Sequence, residues 1–218
     1  MDTPRIALIH ATPLAVEPIN TAFKQMWPNA LATNLLDDSL APDLVREGGI
    51  SERVIERFVT LAKYVRKAGA DGIMFTCSAF GTAIEAARDA VDVPVLKPNE
   101  AMLDEALEAG TRLGVLATFE PSIPNFVVEL EALAKSKGIR LDVRTHAVAN
   151  AMAELQAGRG GEHDRLIADA AAQLMDCDAI LLSQFSMASA AARIASTPTC
   201  KVLTSPASAV VRLKSLLR

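Results

Sequence analysis

Short apolar runs alternate along the chain with longer stretches in which apolar residues recur every three or four positions. The short runs predict strands near Arg5–His10, Ala30–Leu36, Asp71–Thr76, Val93–Leu96, Arg112–Ala117, Arg140–His146, Asp178–Ser183 and Cys200–Leu203. They are rich in Val, Ile and Leu, are bounded by Gly, Pro or Asp, and do not alternate apolar with polar, as expected of strands buried on both faces. The longer stretches predict helices such as Glu52–Lys67, Thr82–Ala90, Asn99–Glu108, Pro121–Lys137, His163–Met175 and Pro206–Leu217. Gly69, Gly110 and Gly138 follow three of them where a C-terminal cap belongs. Strand–helix alternation of this kind implies right-handed crossovers and a mainly parallel α/β sheet.

The pattern also repeats. Sliding the chain on itself by 107 positions places Arg5-Ile6-Ala7-Leu8-Ile9 on Arg112-Leu113-Gly114-Val115-Leu116, Asp71–Thr76 on Asp178–Ser183, and Val95-Leu96 on Val202-Leu203. Any two strand–helix–strand units can be slid into register, but a constant offset across several strands favours a duplicated half. The expected architecture is α/β with two pseudo-symmetric halves, residues 1–97 plus 205–218 and residues 98–204. Each holds a mainly parallel sheet flanked by helices, with an active-site cleft between them.

Composition narrows the function classes. Half of the 218 residues are hydrophobic and 22% are charged, which supplies a core and argues against disorder. The net charge is −4 and no basic run stands out, so no nucleic-acid partner is expected. No apolar stretch reaches membrane-span length, and Met1-Asp2-Thr3-Pro4 lacks the start of a signal peptide. A cytoplasmic protein with no membrane partner is expected. Three cysteines without C-x-x-C spacing suggest neither a disulfide framework nor a zinc cluster.

In parallel α/β sheets ligands bind beyond the carboxyl ends of the strands. The first predicted strand is followed there by His10, Ala11 and Thr12, and the second by Asp37, Asp38 and Ser39. Thr76, Cys77 and Ser78 end the third, Thr118 follows the fifth, and His146 ends the sixth. Ser183, Gln184, Phe185 and Ser186 end the seventh. Neither G-x-G-x-x-G nor G-x-x-x-x-G-K-[ST] occurs, so no nucleotide cofactor is supported. Cys77 lies between a strand and the helix predicted from Thr82, where backbone N–H groups and a helix dipole would favour thiolate. Cys177 and Cys200 sit at the other end of their strands and read as buried apolar side chains. The 107-residue offset sets Cys77 against Gln184, so the two would face each other across the cleft.

These residues resemble the aspartate/glutamate racemase superfamily, which includes hydantoin racemases, maleate isomerases and arylmalonate decarboxylases. The resemblance covers essentially the whole chain and rests on Thr76-Cys77-Ser78, on Gly114-Val115-Leu116-Ala117-Thr118, and on Asp178–Ala188, which is similar to the family's second cysteine motif. It implies cofactor-independent chemistry on a small carboxylate carbon acid. Two thiols in the two-cysteine members flank the reacting carbon, and donors hold the carboxylate as charge develops. Carried over, Cys77 matches the first cysteine. Ser78, Thr118 and Ser186 match residues near the substrate carboxylate, and His10 and Thr12 match another substrate-lining stretch. Thr76, Ser183 and Phe185 complete the expected substrate-binding set.

The chain departs from the family at the second cysteine. Gln184 neither holds nor releases a proton at neutral pH. Arylmalonate decarboxylases also keep one cysteine, but at the second position, and in maleate isomerases the first cysteine is a nucleophile. A racemase-type isomerase with Cys77 and Gln184 as catalytic residues is expected. One-sided chemistry such as decarboxylation, or a non-catalytic small-carboxylate-binding protein, stands as the alternative. His10 and His146 each titrate near neutrality when exposed or serve as hydrogen-bonded structural groups, and the 107-residue offset pairs His146 with Ser39. His163 reads as a surface residue at a helix start, Asp37 and Asp38 as loop carboxylates, and Gly160-Gly161 as a flexible loop. No metal motif and no G-x-S-x-G elbow appear. The apolar segment Met187–Ala195 is a candidate face for packing in a homo-oligomer.

Overall fold

The computed structural model describes residues 3–194 and 200–217. The chain divides into two compact units, Met1–Ala101 with Ala209–Arg218, and Met102–Ser208. The first contains β1 (Arg5–His10), α1 (Val16–Met26), β2 (Leu31–Leu36), α2 (Leu40–Glu47), α3 (Glu52–Lys67), β3 (Gly72–Phe75), α4 (Gly81–Asp89) and β4 (Val95–Leu96). The second contains most of α5 (Glu100–Ala109), then β5 (Arg112–Ala117), α6 (Ile123–Ser136), β6 (Asp142–Ala147), α7 (Ala151–Gln156), α8 (Gly160–Ala171), β7 (Ala179–Leu182), β8 (Lys201–Thr204) and the start of α9 (Ser205–Leu216). Each unit builds a four-stranded, all-parallel sheet flanked by helices, in the orders β2-β1-β3-β4 and β6-β5-β7-β8. Among the described residues no helix is long and apolar enough to cross a membrane.

Local chemistry explains the elements. The Ser51 hydroxyl accepts from the Val54 N–H at 3.4 Å, which caps α3 where the sequence places its start. Helices α1 and α2 were not among the segments named from periodicity. Each carries a proline in its first turn, Pro18 and Pro42, where the missing N–H has no intrahelical partner to lose. Gly69 and Gly138 take positive φ after α3 and α6 (92° and 69°), as expected of caps. At Gly110 the need is space, since a Cβ there would stand 2.3 Å from Asp178 Oδ2.

The repeat holds at residue level over two of the three strand pairings in each sheet and slips on the third. Ile6 pairs with Gly72 as Leu113 pairs with Ala179, and Ile73 with Val95 as Ile180 with Val202, all at the 107-residue offset. Arg5, however, pairs with Leu31 while Arg112 pairs with Asp142, four residues later than that offset predicts. The longer connecting helix, 14 residues in α6 against 11 in α1, accompanies the slip. His146 therefore corresponds to Leu35 and not to Ser39.

Both units close the amino ends of their strands alike. The Arg5 N–H donates to Asp71 Oδ2 at 2.8 Å, and the Thr111 and Arg112 N–H groups donate to Asp178 Oδ2 at 2.9 Å each. In the first unit Phe58 stacks on Phe75 with ring centres 5.0 Å apart and meets Phe80 at 4.8 Å, an aromatic floor under the end of β3.

Several expectations need correction. β2 and β6 are edge strands, not strands buried on both faces: Leu31 and Leu36 are 50% and 43% exposed, and Asp142, Arg144 and Thr145 are exposed as well. Gly160 and Gly161 open α8 and form no loop. His163 lies inside that helix and is fully buried, because the helix starts three residues earlier than the pattern suggested. The segment from Phe185 to Arg193 is a 3₁₀ stretch, with Met187 and Ala190 buried in the unit's own core, and Ala195 lies outside the described residues.

Candidate active site

At the carboxyl ends of β1 and β3 the chain places a connected polar group on an apolar floor. His10 ends β1 and is completely buried. Its Nδ1 meets the Thr76 hydroxyl at 2.9 Å and its Nε2 meets Asn34 Oδ1 at 2.9 Å. Asn34 turns its amide nitrogen to Asn20 Oδ1 at 3.2 Å, which leaves its carbonyl toward the ring. Burial pushes the His10 pKa below its ordinary value, against the smaller raising effect of the Asn34 bond. Thr76 is held by its own N–H, donated to the Ile9 carbonyl at 3.0 Å.

Cys77 follows directly. It is half-buried and shares a narrow recess with Ile9, His10, Ala11, Leu40, Phe58 and Phe75. The next residues, Ser78–Phe80, form a 3₁₀ turn, and α4 begins only at Gly81. Burial in this apolar recess raises the Cys77 pKa, and the Ala79 N–H pointing at the sulfur offsets only part of that. The expectation of a favoured thiolate is therefore corrected. Desolvation outweighs one short turn of aligned amides, so the recess favours the thiol over the thiolate.

The second unit meets the same backbone with other side chains. The Ser183 N–H donates to the Leu116 carbonyl at 3.0 Å and its hydroxyl donates to the same oxygen at 2.8 Å, the counterpart of Thr76 on Ile9. Gln184 then stands where the first unit has cysteine. Its Oε1 accepts from the Thr118 N–H at 2.7 Å and from the Thr118 hydroxyl at 2.9 Å. A backbone N–H donates only to an acceptor, so the carbonyl faces Thr118 and the NH₂ is turned away from it. Among the described residues nothing accepts from that nitrogen, which leaves two donors free.

The remaining expected residues are more loosely placed. Thr12 caps the 3₁₀ turn Pro13–Ala15 by accepting from the Leu14 N–H at 3.4 Å. Ser78 is exposed, Ser186 half-buried, and Phe185 packs inward at 8% exposure. His146 is half-buried on the edge strand β6, with no bond tying it to Thr118 or Gln184. Asp37 does not stand as a free carboxylate: Arg57 grips it at 2.5 Å and Asp43 at 2.8 Å. Cys177 and Cys200 are 1% and 0% exposed in the second unit's core, as expected. Among the described residues no three His, Cys, Asp or Glu side chains converge as metal ligands. Sequence reasoning passed over Asn34, Asn20 and Arg57. The one signal for Asn34 was an amide within a mostly apolar strand; it stands exposed on that edge strand, and the buried partner is the His10 ring that its carbonyl meets.

Two α/β units, each with a four-stranded all-parallel sheet flanked by helices, define the class of two-domain racemase-fold proteins. The chain belongs to the Asp/Glu/hydantoin racemase family, whose model matches residues 9–213. Solved structures agree in fold. An aspartate racemase homologue from Pyrococcus horikoshii aligns with TM-score 0.73 at 16% identity over 98% of both chains. The allantoin racemase of Klebsiella pneumoniae aligns at 0.68 and 20% identity over 98% of this chain and 87% of that one. Arylmalonate decarboxylase aligns at 0.64 and 17% identity, over 99% of this chain and 93% of the other. No curated protein matches the chain.

Proposed function

We propose that this protein is a cofactor-independent enzyme of the racemase family that acts on a small carboxylate carbon acid, with Cys77 as the single proton-carrying group. One observation carries the reading. Thr118 fixes the Gln184 carbonyl, so position 184 offers N–H donors and no exchangeable acid. Racemisation needs a proton carrier on each face of the carbon; one-sided chemistry such as decarboxylation needs only one.

In that chemistry the C–CO₂ bond breaks and its electron pair spreads onto the remaining carboxylate as an enediolate. The Gln184 amide, with Ser186 beside it in sequence, donates hydrogen bonds to the developing charge. The Cys77 thiol then gives its proton to carbon, and the thiolate recovers one from water. A sulfur that rests protonated suits this donor role. Thr12, Ser78 and Ser183 are proposed to line the substrate. The neighbours named for glutamate, allantoin and arylmalonate chemistry set the range of carbon acids to try. Three free thiols fit a reducing compartment, and the cytoplasm is the proposed location.

The test incubates arylmalonates, dicarboxylates, amino acids and hydantoins in deuterated water with the wild type and with Cys77→Ala. The expected result is a product carrying one solvent deuterium at the reacting carbon, absent with the variant. Deuterium in both enantiomers of an otherwise unchanged substrate would replace one-sided chemistry with racemisation. Saturable binding with no exchange would make the protein a binder.

A further inference from the structure

We propose that His10 is a positioning residue for Cys77: its ring, bonded at both nitrogens, locks the end of β3 and forms an uncharged wall of the recess that holds the sulfur. The pieces come from four elements of one unit. β1 supplies the ring, β2 supplies Asn34, α1 supplies Asn20, and Thr76 joins the ring to Cys77 through a single peptide link. The 2.9 Å contacts at Nδ1 and Nε2 leave the ring no freedom to turn. Whatever moves the ring moves Thr76, and with it the sulfur.

The bonds also set the tautomer. Asn34 presents a carbonyl, so Nε2 carries the hydrogen. In the neutral ring Nδ1 is then an acceptor, filled by the Thr76 hydroxyl. The same bonds would tolerate an imidazolium, since Thr76 also reaches the Ile9 carbonyl at 3.4 Å. Burial decides the matter, because among the described residues nothing charged faces the ring to compensate it. Around it stand Asn34 from β2, Thr76 and Cys77 from β3 and its end, Leu40 from α2 and Phe58 from α3. Asp37, whose N–H donates to the His10 carbonyl, keeps its carboxylate on Arg57. His10 thus holds the sulfur in place and is no second proton carrier.

The readout is the thiol itself, so failure of this inference and failure of the enzyme reading give different results. Alkylation of Cys77 by iodoacetamide is followed from pH 5 to 10 by mass spectrometry of the Cys77 peptide. Asn34→Asp places a carboxylate on Nε2 and favours the imidazolium. Its expected effect is a midpoint about one pH unit lower, or about tenfold faster alkylation at pH 7. His10→Leu removes both bonds and is expected to speed alkylation several-fold without lowering the midpoint. Should either variant fail to fold, ¹⁵N NMR of the wild-type ring decides, with the neutral Nε2–H tautomer expected at pH 7 and a titration midpoint below the ordinary histidine value. A ring that titrates at its ordinary value, or variant profiles that superimpose on the wild type, would overturn the proposal.

Discussion

Position 77 and position 184 have the same backbone surroundings and opposite chemical capacities. In each unit the preceding hydroxyl residue anchors to the carbonyl of the neighbouring central strand, Thr76 on Ile9 and Ser183 on Leu116. The next residue then enters a 3₁₀ turn with extended backbone, at φ −123° for Cys77 and −127° for Gln184. The first unit puts an acidic hydrogen there, in an apolar recess. The second puts an amide there, clamped so that only donors are left over. The two units share the hydrogen bonds that aim the side chain and differ in what is aimed.

Several substitutions break or sharpen this contrast. Cys77→Ala is expected to have the largest effect, a loss of about 10³-fold or more in kcat for whichever carbon acid exchanges solvent deuterium. Retained exchange in that variant would move the proton carrier elsewhere. Gln184→Ala follows, with a loss of about 10²-fold in kcat from one missing donor. A double-mutant cycle of the two tells whether both act on one substrate: strictly additive losses would assign them separate tasks. Thr118→Val keeps its N–H but loses the hydroxyl, and about a tenfold fall in kcat is expected as the amide of residue 184 gains freedom to flip. An unchanged kcat would mean that the backbone bond alone suffices.

The smallest expected effect is on stability. His10 has a depressed pKa in the folded chain, so its contribution is present above its ordinary value near 6.5 and is lost as pH falls through the folded one. The wild type should therefore lose a few degrees of Tm more than His10→Gln between pH 7 and 5. Parallel Tm curves for the two proteins would show that the histidine takes up its proton freely.

The parallel sheets, the repeat and the strand-end positions were legible because buried strands need unbroken apolar runs and each unit repeats them at a fixed spacing. Legibility failed where a local rule met a tertiary one. Helices α1 and α2 went unnamed, although each holds its proline, Pro18 and Pro42, in the first turn where it is tolerated. Gly160-Gly161 read as a loop, though the chain there was already helical. The slip on β6 hid behind a longer helix, and with it went the pairing of His146. At Cys77 the nearby amides were visible in the sequence, but the apolar walls from α2 and α3 come from distant segments. Those walls decide the state of the sulfur.

The aspartates that bridge the strand entrances, Asp71 to Arg5 and Asp178 to Thr111 and Arg112, lie far along their strands from the divergent tips. Each strand pair is thus stapled at its root by an aspartate and at its crown by a hydroxyl residue, while the side chain that follows the crown differs. A protein engineer could exchange crowns, moving residues 183–186 onto the first root or 76–79 onto the second, without retooling the foundations. Such swaps would turn one repeated frame into a small workshop of matched and mismatched strand tips.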